Sequence, residues 1–142
     1  MLSVVAVALA LSVLQVPYNV LAQSSDCARP FVVSSGDTCD GISAANNAST
    51  FQLAFVNPQI NSDCTNLAPD EPLCLGIVGQ DCNVTHVVAS GDSCSSIETA
   101  AGIPLSTLLA NNQNVAADCT NIYVGEVLCI SSTVFNYTTK AD

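Results

Sequence analysis

The chain contains no tryptophan and one methionine, and only two of its 142 residues, Arg29 and Lys140, carry a fixed positive charge. Nucleic-acid binding depends on lysine and arginine to displace counterions from phosphates, so that class of partner is excluded. The same shortage disfavours an anionic membrane surface. Against the two cations stand twelve acids, giving a formal net charge of −10 and leaving neutral or basic partners. The acids read most simply as a solvated surface that keeps the protein soluble. Without tryptophan, the wide aromatic platform common in sugar sites is missing, so any glycan affinity must come from hydrogen bonds and small apolar contacts. Histidine is nearly absent too: His86 stands alone, and no Cys-x-x-Cys pair occurs. Neither a metal site nor a cofactor is expected.

Cysteine, by contrast, is abundant and ordered. Cys27, Cys39, Cys64 and Cys74 are followed by Cys82, Cys94, Cys119 and Cys129, each displaced by 55 positions. The stretch VVSSGDTCDGI at 32–42 returns as VVASGDSCSSI at 87–97. Aligning 27–75 on 82–130 needs no gap and gives 18 identities in 49 columns. Two copies of one small module account for this pattern. Eight cysteines allow 105 pairings in principle. The repeat favours two bridges inside each module, and the partners within a module are left open.

Residues 1–16 are almost wholly apolar, and Val20-Leu21-Ala22 offers the small residues that a signal peptidase reads. The run has the length of a secretory h-region and, with Pro17 after it, is short for a membrane span. Residues 1–22 are assigned as a signal peptide cleaved before Gln23, with an uncleaved anchor as the alternative. An even cysteine count behind such a segment implies a disulfide framework in a secreted, extracellular or cell-wall-associated protein. An N-terminal segment (23–30) is followed by module 1 (31–75), a linker (76–85) opening with GIVGQD, module 2 (86–130) and a polar tail (131–142) without a GPI signal. Sequons at Asn47, Asn83 and Asn136 are candidate N-glycosylation sites.

A module of about 50 residues buries little core, and cross-links commonly make up the shortfall. In the first copy Phe31-Val32-Val33 reads as a strand. Gly36-Asp37 turns the chain, and Asp37 is placed to accept the free amides opening a helix. Ile42 and Ala45 share that helix's buried face. A second helix with Leu53 and Val56 stops at Asn57-Pro58. Pro72-Leu73-Cys74-Leu75 alternates as a closing strand with both leucines inward. The second copy repeats the order: His86-Val87-Val88, a helix through Ile97 and Ala100, a helix at 104–110 with Pro104 in its first turn, and a strand at 127–130. An α+β fold is expected, with two tandem βααβ modules, each a two-stranded antiparallel sheet under two helices and stabilised by disulfides.

With Ser35-Gly36-Asp37-Thr38, the helix carrying Ile42, Asn57-Pro58-Gln59-Ile60, and Leu67 and Leu73 near the end, each copy resembles the LysM module. Its four-cysteine spacing is similar to that of the fungal subclass. Two such modules behind a signal peptide look like a secreted fungal LysM effector. The resemblance implies a βααβ fold that binds glycans containing N-acetylglucosamine. It further implies chitin and chitin oligosaccharides as ligands, with fragments hidden from host receptors or the fungal cell wall shielded from chitinases. Chitin is neutral, and each acetamido group offers one N–H and one carbonyl to exposed backbone. The turn after strand one and the loop before strand two emerge at one end of such a module. The candidate groove is Gly36, Asp37, Thr38 and Cys39 opposite Asn57, Pro58, Gln59 and Ile60. In the second copy it is Gly91, Asp92, Ser93 and Cys94 opposite Asn112, Gln113, Asn114 and Val115. These residues have plain structural readings as well: Asp37 and Asp92 as turn or cap residues, Asn57 and Asn112 as helix ends, and Pro58 and Ile60 as core closure.

Competing classes are an enzyme, a structural wall protein or antigen without strong glycan binding, and a peptidoglycan binder. An enzyme is disfavoured. Every cysteine belongs to the repeated framework, and His86 occupies a strand position matched by Phe31. Asp70-Glu71 are adjacent, which does not set two carboxylates across a glycosidic bond. A six-residue linker spans at most about 20 Å. Grooves facing apart are expected, so that long chitin bridges molecules into ligand-driven oligomers.

Overall fold

Each repeat folds as strand, helix, helix, strand. The computed structural model describes residues 26–137, so the assigned signal peptide at 1–22 and the end of the tail lie outside the described residues. In module 1, β1 (Pro30–Val32) leads to α1 (Cys39–Asn46) and α2 (Thr50–Val56), and β2 (Pro72–Cys74) closes the unit. In module 2 the order is β3 (Thr85–Val87), α3 (Cys94–Ala101), α4 (Leu105–Asn111) and β4 (Val127–Cys129). β1 pairs antiparallel with β2 with Phe31 opposite Leu73, and β3 with β4 with His86 opposite Leu128. This is the α+β arrangement of two βααβ modules that the repeat implies. Both opening strands begin one residue before their apolar runs. Val33 and Val88, just past the strands, are buried at 3% exposure, and Val32 faces solvent.

The helix starts correct one expectation. Thr38, not Asp37, caps α1: its hydroxyl accepts from the Gly41 N–H at 3.1 Å. Ser93 caps α3 in a reciprocal box with Ser96. Asp37 and Asp92 sit one residue too early to reach the helix amides and close the preceding turn instead. Pro104 stands at the cap of α4, one position before its first turn. A second correction concerns the helix ends. Ala45 and Ala100 are exposed, and the core positions are taken by Ala48 and Ile103, at 0% and 6% exposure. After α1 and α3 the chain turns through a left-handed residue, Asn47 (φ 49°) and Gly102 (φ 67°) respectively. The next amide then bonds back, Ala48 N–H to Ser43 O and Ile103 N–H to Glu98 O, both at 3.1 Å. That reversal aims the following side chain inward.

Each module has its own small core. Val33, Ile42, Ala48, Leu53, Leu73 and Leu75 pack together in the first, and Val88, Cys94, Ile97, Ile103, Leu108, Val115 and Leu128 in the second. All eight cysteines are bridged within modules: Cys27–Cys74 and Cys39–Cys64, then Cys82–Cys129 and Cys94–Cys119. One bridge ties the start of each module to its last strand, and the other ties the first helix to the loop before that strand.

The stretch between the modules is not a free tether. Ala28 N–H bonds Gly76 O at 2.8 Å and Val78 N–H bonds Asp26 O at 2.9 Å, which extends the first sheet. Asp81 turns back over Gly76, where an added Cβ would clash with the Asp81 side chain, so glycine fits without a shift. Arg29 grips that carboxylate with Nε at 2.8 Å and Nη2 at 2.6 Å. Gln52, fully buried in α2, donates to Leu75 O (2.6 Å) and Asp81 (2.8 Å). It accepts from Cys82 N–H (2.8 Å) and from the Tyr137 hydroxyl (2.9 Å). The tail, expected to be merely polar, folds back across both modules. Asn111 of α4 donates to Ser131 O and Thr133 O, and Tyr137 packs edge-on against Phe51 and Phe55 of α2, with ring centroids 5.2 and 5.5 Å apart.

Candidate functional site

The turn between β1 and α1 and the loop between α2 and β2 meet at one end of module 1, joined by Cys39–Cys64. Gly36 has φ of +90°, a conformation open to glycine at no steric cost, and Gly91 repeats it at +87°. Asp37 Oδ2 accepts from Ser34 N–H at 2.8 Å, and Asp92 Oδ2 from Ala89 N–H at 2.8 Å. His86 Nε2 also lies 2.7 Å from Asp92 Oδ2. The Ala89 amide first, and His86 second, hold the Asp92 carboxyl below the usual carboxylate range.

Asn57 and Asn112 do not face the groove. Asn57 is 2% exposed; its amide donates to Leu53 O (2.8 Å) and Cys74 O (2.6 Å) and accepts from Cys74 N–H (2.8 Å). Asn112 makes the same set with Leu108 O, Cys129 O and Cys129 N–H, each at 2.8 Å. Both asparagines fasten a helix end to the closing strand. The loop beyond them is shaped by Asn66, which donates to Gln59 O (2.8 Å) and accepts from Asn61 N–H (2.9 Å). Asn121 does the same for Asn114 O and Ala116 N–H.

A groove of about 360 Å³ opens here in module 1. Of the expected residues, Asp37, Thr38, Cys39 and Ile60 line it; Gly36, Pro58 and Gln59 are exposed beside it. The sequence reading missed the rest of the lining. Asp40 comes from α1, Thr50, Leu53 and Ala54 from α2, and Asn61, Ser62, Asp63 and Cys64 from the loop. Knowledge of the Cys39–Cys64 pairing would have pointed to 61–64. The last lining residue, Tyr123, comes from module 2, and nothing in the repeat signals it.

In module 2 the counterparts are arranged differently. Gly91 and Ser93 are exposed, Asp92 is half-buried, and Cys94 and Val115 belong to the core. Gln113 and Asn114 are exposed, and Asn114 Nδ2 donates to Glu126 Oε1 at 2.6 Å. Glu126 is 1% exposed. Burial pushes its carboxyl above the usual range, and the bond from Asn114 offsets part of that rise. Among the described residues no group of side chains is arranged to hold a metal ion, and no helix is long and apolar enough to cross a membrane.

The LysM domain model matches residues 31–76 and 86–131. The chain belongs to the LysM family. Membership implies carbohydrate binding. A secreted LysM effector of Trichophyton rubrum is 32% identical over 130 residues, covering 75% of this chain and 52% of that protein. One from Penicillium expansum is 33% identical, covering 81% of this chain and 37% of that protein, and Blys8 of Beauveria bassiana is 28% identical, covering 74% and 34%. The LysM chain thus spans about half or less of these relatives' lengths. These three relatives are named as secreted effectors and all eight of its cysteines are oxidised, which places it outside the cell. A solved structure, the spore cortex-lytic enzyme SleL of Bacillus cereus, superposes with a TM-score of 0.31 at 20% identity, over 72% of this chain and 22% of that one.

Proposed function

We propose that this LysM protein is a non-enzymatic lectin for chitin and N-acetylglucosamine oligomers. In that role it acts as an effector, sequestering chitin fragments or shielding the fungal wall from host recognition and chitinases. The observation that carries this reading is the groove between the β1–α1 turn and the α2–β2 loop, clamped by Cys39–Cys64 inside a LysM module. Ala54 and Ile60 offer apolar surface for an acetyl methyl or a ring face. Thr38, Asn61 and Ser62 offer polar groups, and Asp37, Asp40 and Asp63 offer acceptors for sugar hydroxyls and the acetamido N–H.

Those three carboxylates also favour chitin over peptidoglycan. The lactyl and peptide carboxylates of peptidoglycan would meet like charge on a chain of net charge −10. Calorimetric titration with chitohexaose, beside peptidoglycan fragments, tests the proposal. Binding to chitohexaose that changes little between low and high salt is expected, since the ligand is uncharged. No retention on insoluble chitin and no heat with the hexamer would sink it in favour of a structural wall protein.

A further inference from the structure

We infer that Tyr123, carried by module 2, is the sugar-stacking face of the groove in module 1, so that this subsite for one N-acetylhexosamine ring is built from both repeats. The inference rests on the chitin-binding reading and deepens it. The chain has no tryptophan, and Tyr123 is the one aromatic residue in the groove's lining. It is 47% exposed, so part of the residue is open to a ligand.

The ring is also held in place from two sides. Its hydroxyl lies 3.2 Å from each oxygen of Asp40, at the start of α1, and shares one proton between them. Its backbone N–H donates to buried Glu126 at 3.3 Å. Thr50 completes the bracket: it donates to Asp40 at 3.2 Å and accepts from Val127 N–H at 3.0 Å. A side chain fixed before the ligand arrives loses little freedom on binding. The C–H face of a pyranose is apolar, and a fixed aromatic ring is the surface it packs on. The repeat supplies no equivalent within module 1, where the matching position is Ala68. The groove of module 1 is therefore incomplete without its neighbour.

The test uses the full disulfide-bonded protein titrated with chitohexaose. Backbone amide shifts of Thr38 and Ser93 report the two grooves separately, and the ring protons of Tyr123 report contact directly. In the wild type, those ring protons shift as Thr38 saturates. Tyr123→Ala weakens the affinity read at Thr38 by about fivefold to tenfold, the scale of one well-placed aromatic contact, and leaves that at Ser93 unchanged. Tyr123→Phe keeps the ring and stays within about threefold of wild type. Static ring signals, an alanine variant within twofold of wild type at Thr38, equal losses at both grooves, or a phenylalanine variant as weak as alanine would each overturn the stacking role. A wild type that binds no hexamer overturns the lectin reading, and this one with it, and is recognised by the absence of any shift.

Discussion

At the scale of single residues, the polar side chains divide into those that hold the backbone and those that face the groove. Asn57 and Asn112 read in sequence as site residues because they stand in the loop that matches the family. Their side chains are instead consumed by three hydrogen bonds each to a helix end and a closing strand. A buried amide left unpaired would cost about 1–3 kcal/mol, so interior bonding wins over ligand contact. Glu126 is the opposite case, a buried acid that no pattern announces. Its folded pKa is raised above 4.5, with burial the largest cause, so ionising it disfavours the native state. Stability from the neutral form is fully present below the unfolded pKa and is lost as pH rises through the folded one. The lowered pKa of Asp92 works in the other direction, with stability present above its unfolded pKa and lost in acid. Asp92 is common to wild type and a Glu126→Gln variant, so its contribution cancels in their difference. Urea melts at pH 4 and pH 7 should show the variant gaining on wild type as pH rises. A difference that is flat or shrinks over that interval contradicts the assignment.

Among the elements, the pair of bridges in each module has separable duties. Cys39–Cys64 closes 25 residues and Cys27–Cys74 closes 47, and loop entropy depends only logarithmically on length. Removing either bridge by double alanine substitution should therefore cost a similar amount, about 3–4 kcal/mol. Only Cys39→Ala/Cys64→Ala parts the two walls of the groove. It should lower chitohexaose affinity in protein that is still folded, whereas Cys27→Ala/Cys74→Ala should leave affinity near wild type. Equal affinity losses measured by calorimetry would show that the groove depends on overall stability alone. The order of elements was legible because Val32-Val33, Ile42, Leu53 and Leu73 recur 55 residues on and fit strand or helix periods. The inward face of α1 was legible at Ile42 and not beyond it. Ala45 has the right spacing, but the left-handed turn at Asn47 sends Ala48 into the core instead. Strands of three residues carry too little alternation to fix their own limits, hence the one-residue offset at Pro30 and Thr85.

On the scale of the whole molecule, Gln52 joins what the repeat would leave separate. Its one amide serves the end of module 1 at Leu75, the junction at Asp81 and Cys82, and the tail at Tyr137. Calorimetric unfolding should accordingly show one transition, with calorimetric and van't Hoff enthalpies agreeing. Gln52→Ala strands several of these groups in the interior, and about 3 kcal/mol should be lost, with the single transition broadening or splitting. Two well-resolved transitions in the wild type would refute this coupling. No sequence pattern exposed it, because Gln52 is matched in the second copy by Thr107 and Tyr137 lies beyond the repeat. The same wiring gives the molecule a direction in time. Each bridge closes between cysteines of one repeat, so module 1 can oxidise and fold while module 2 is still being synthesised. Residues 131–137 leave the ribosome after everything they pack against. Until Tyr137 arrives, Phe51 and Phe55 lack the ring that packs on them, so this face of module 1 is completed only after both modules have been made.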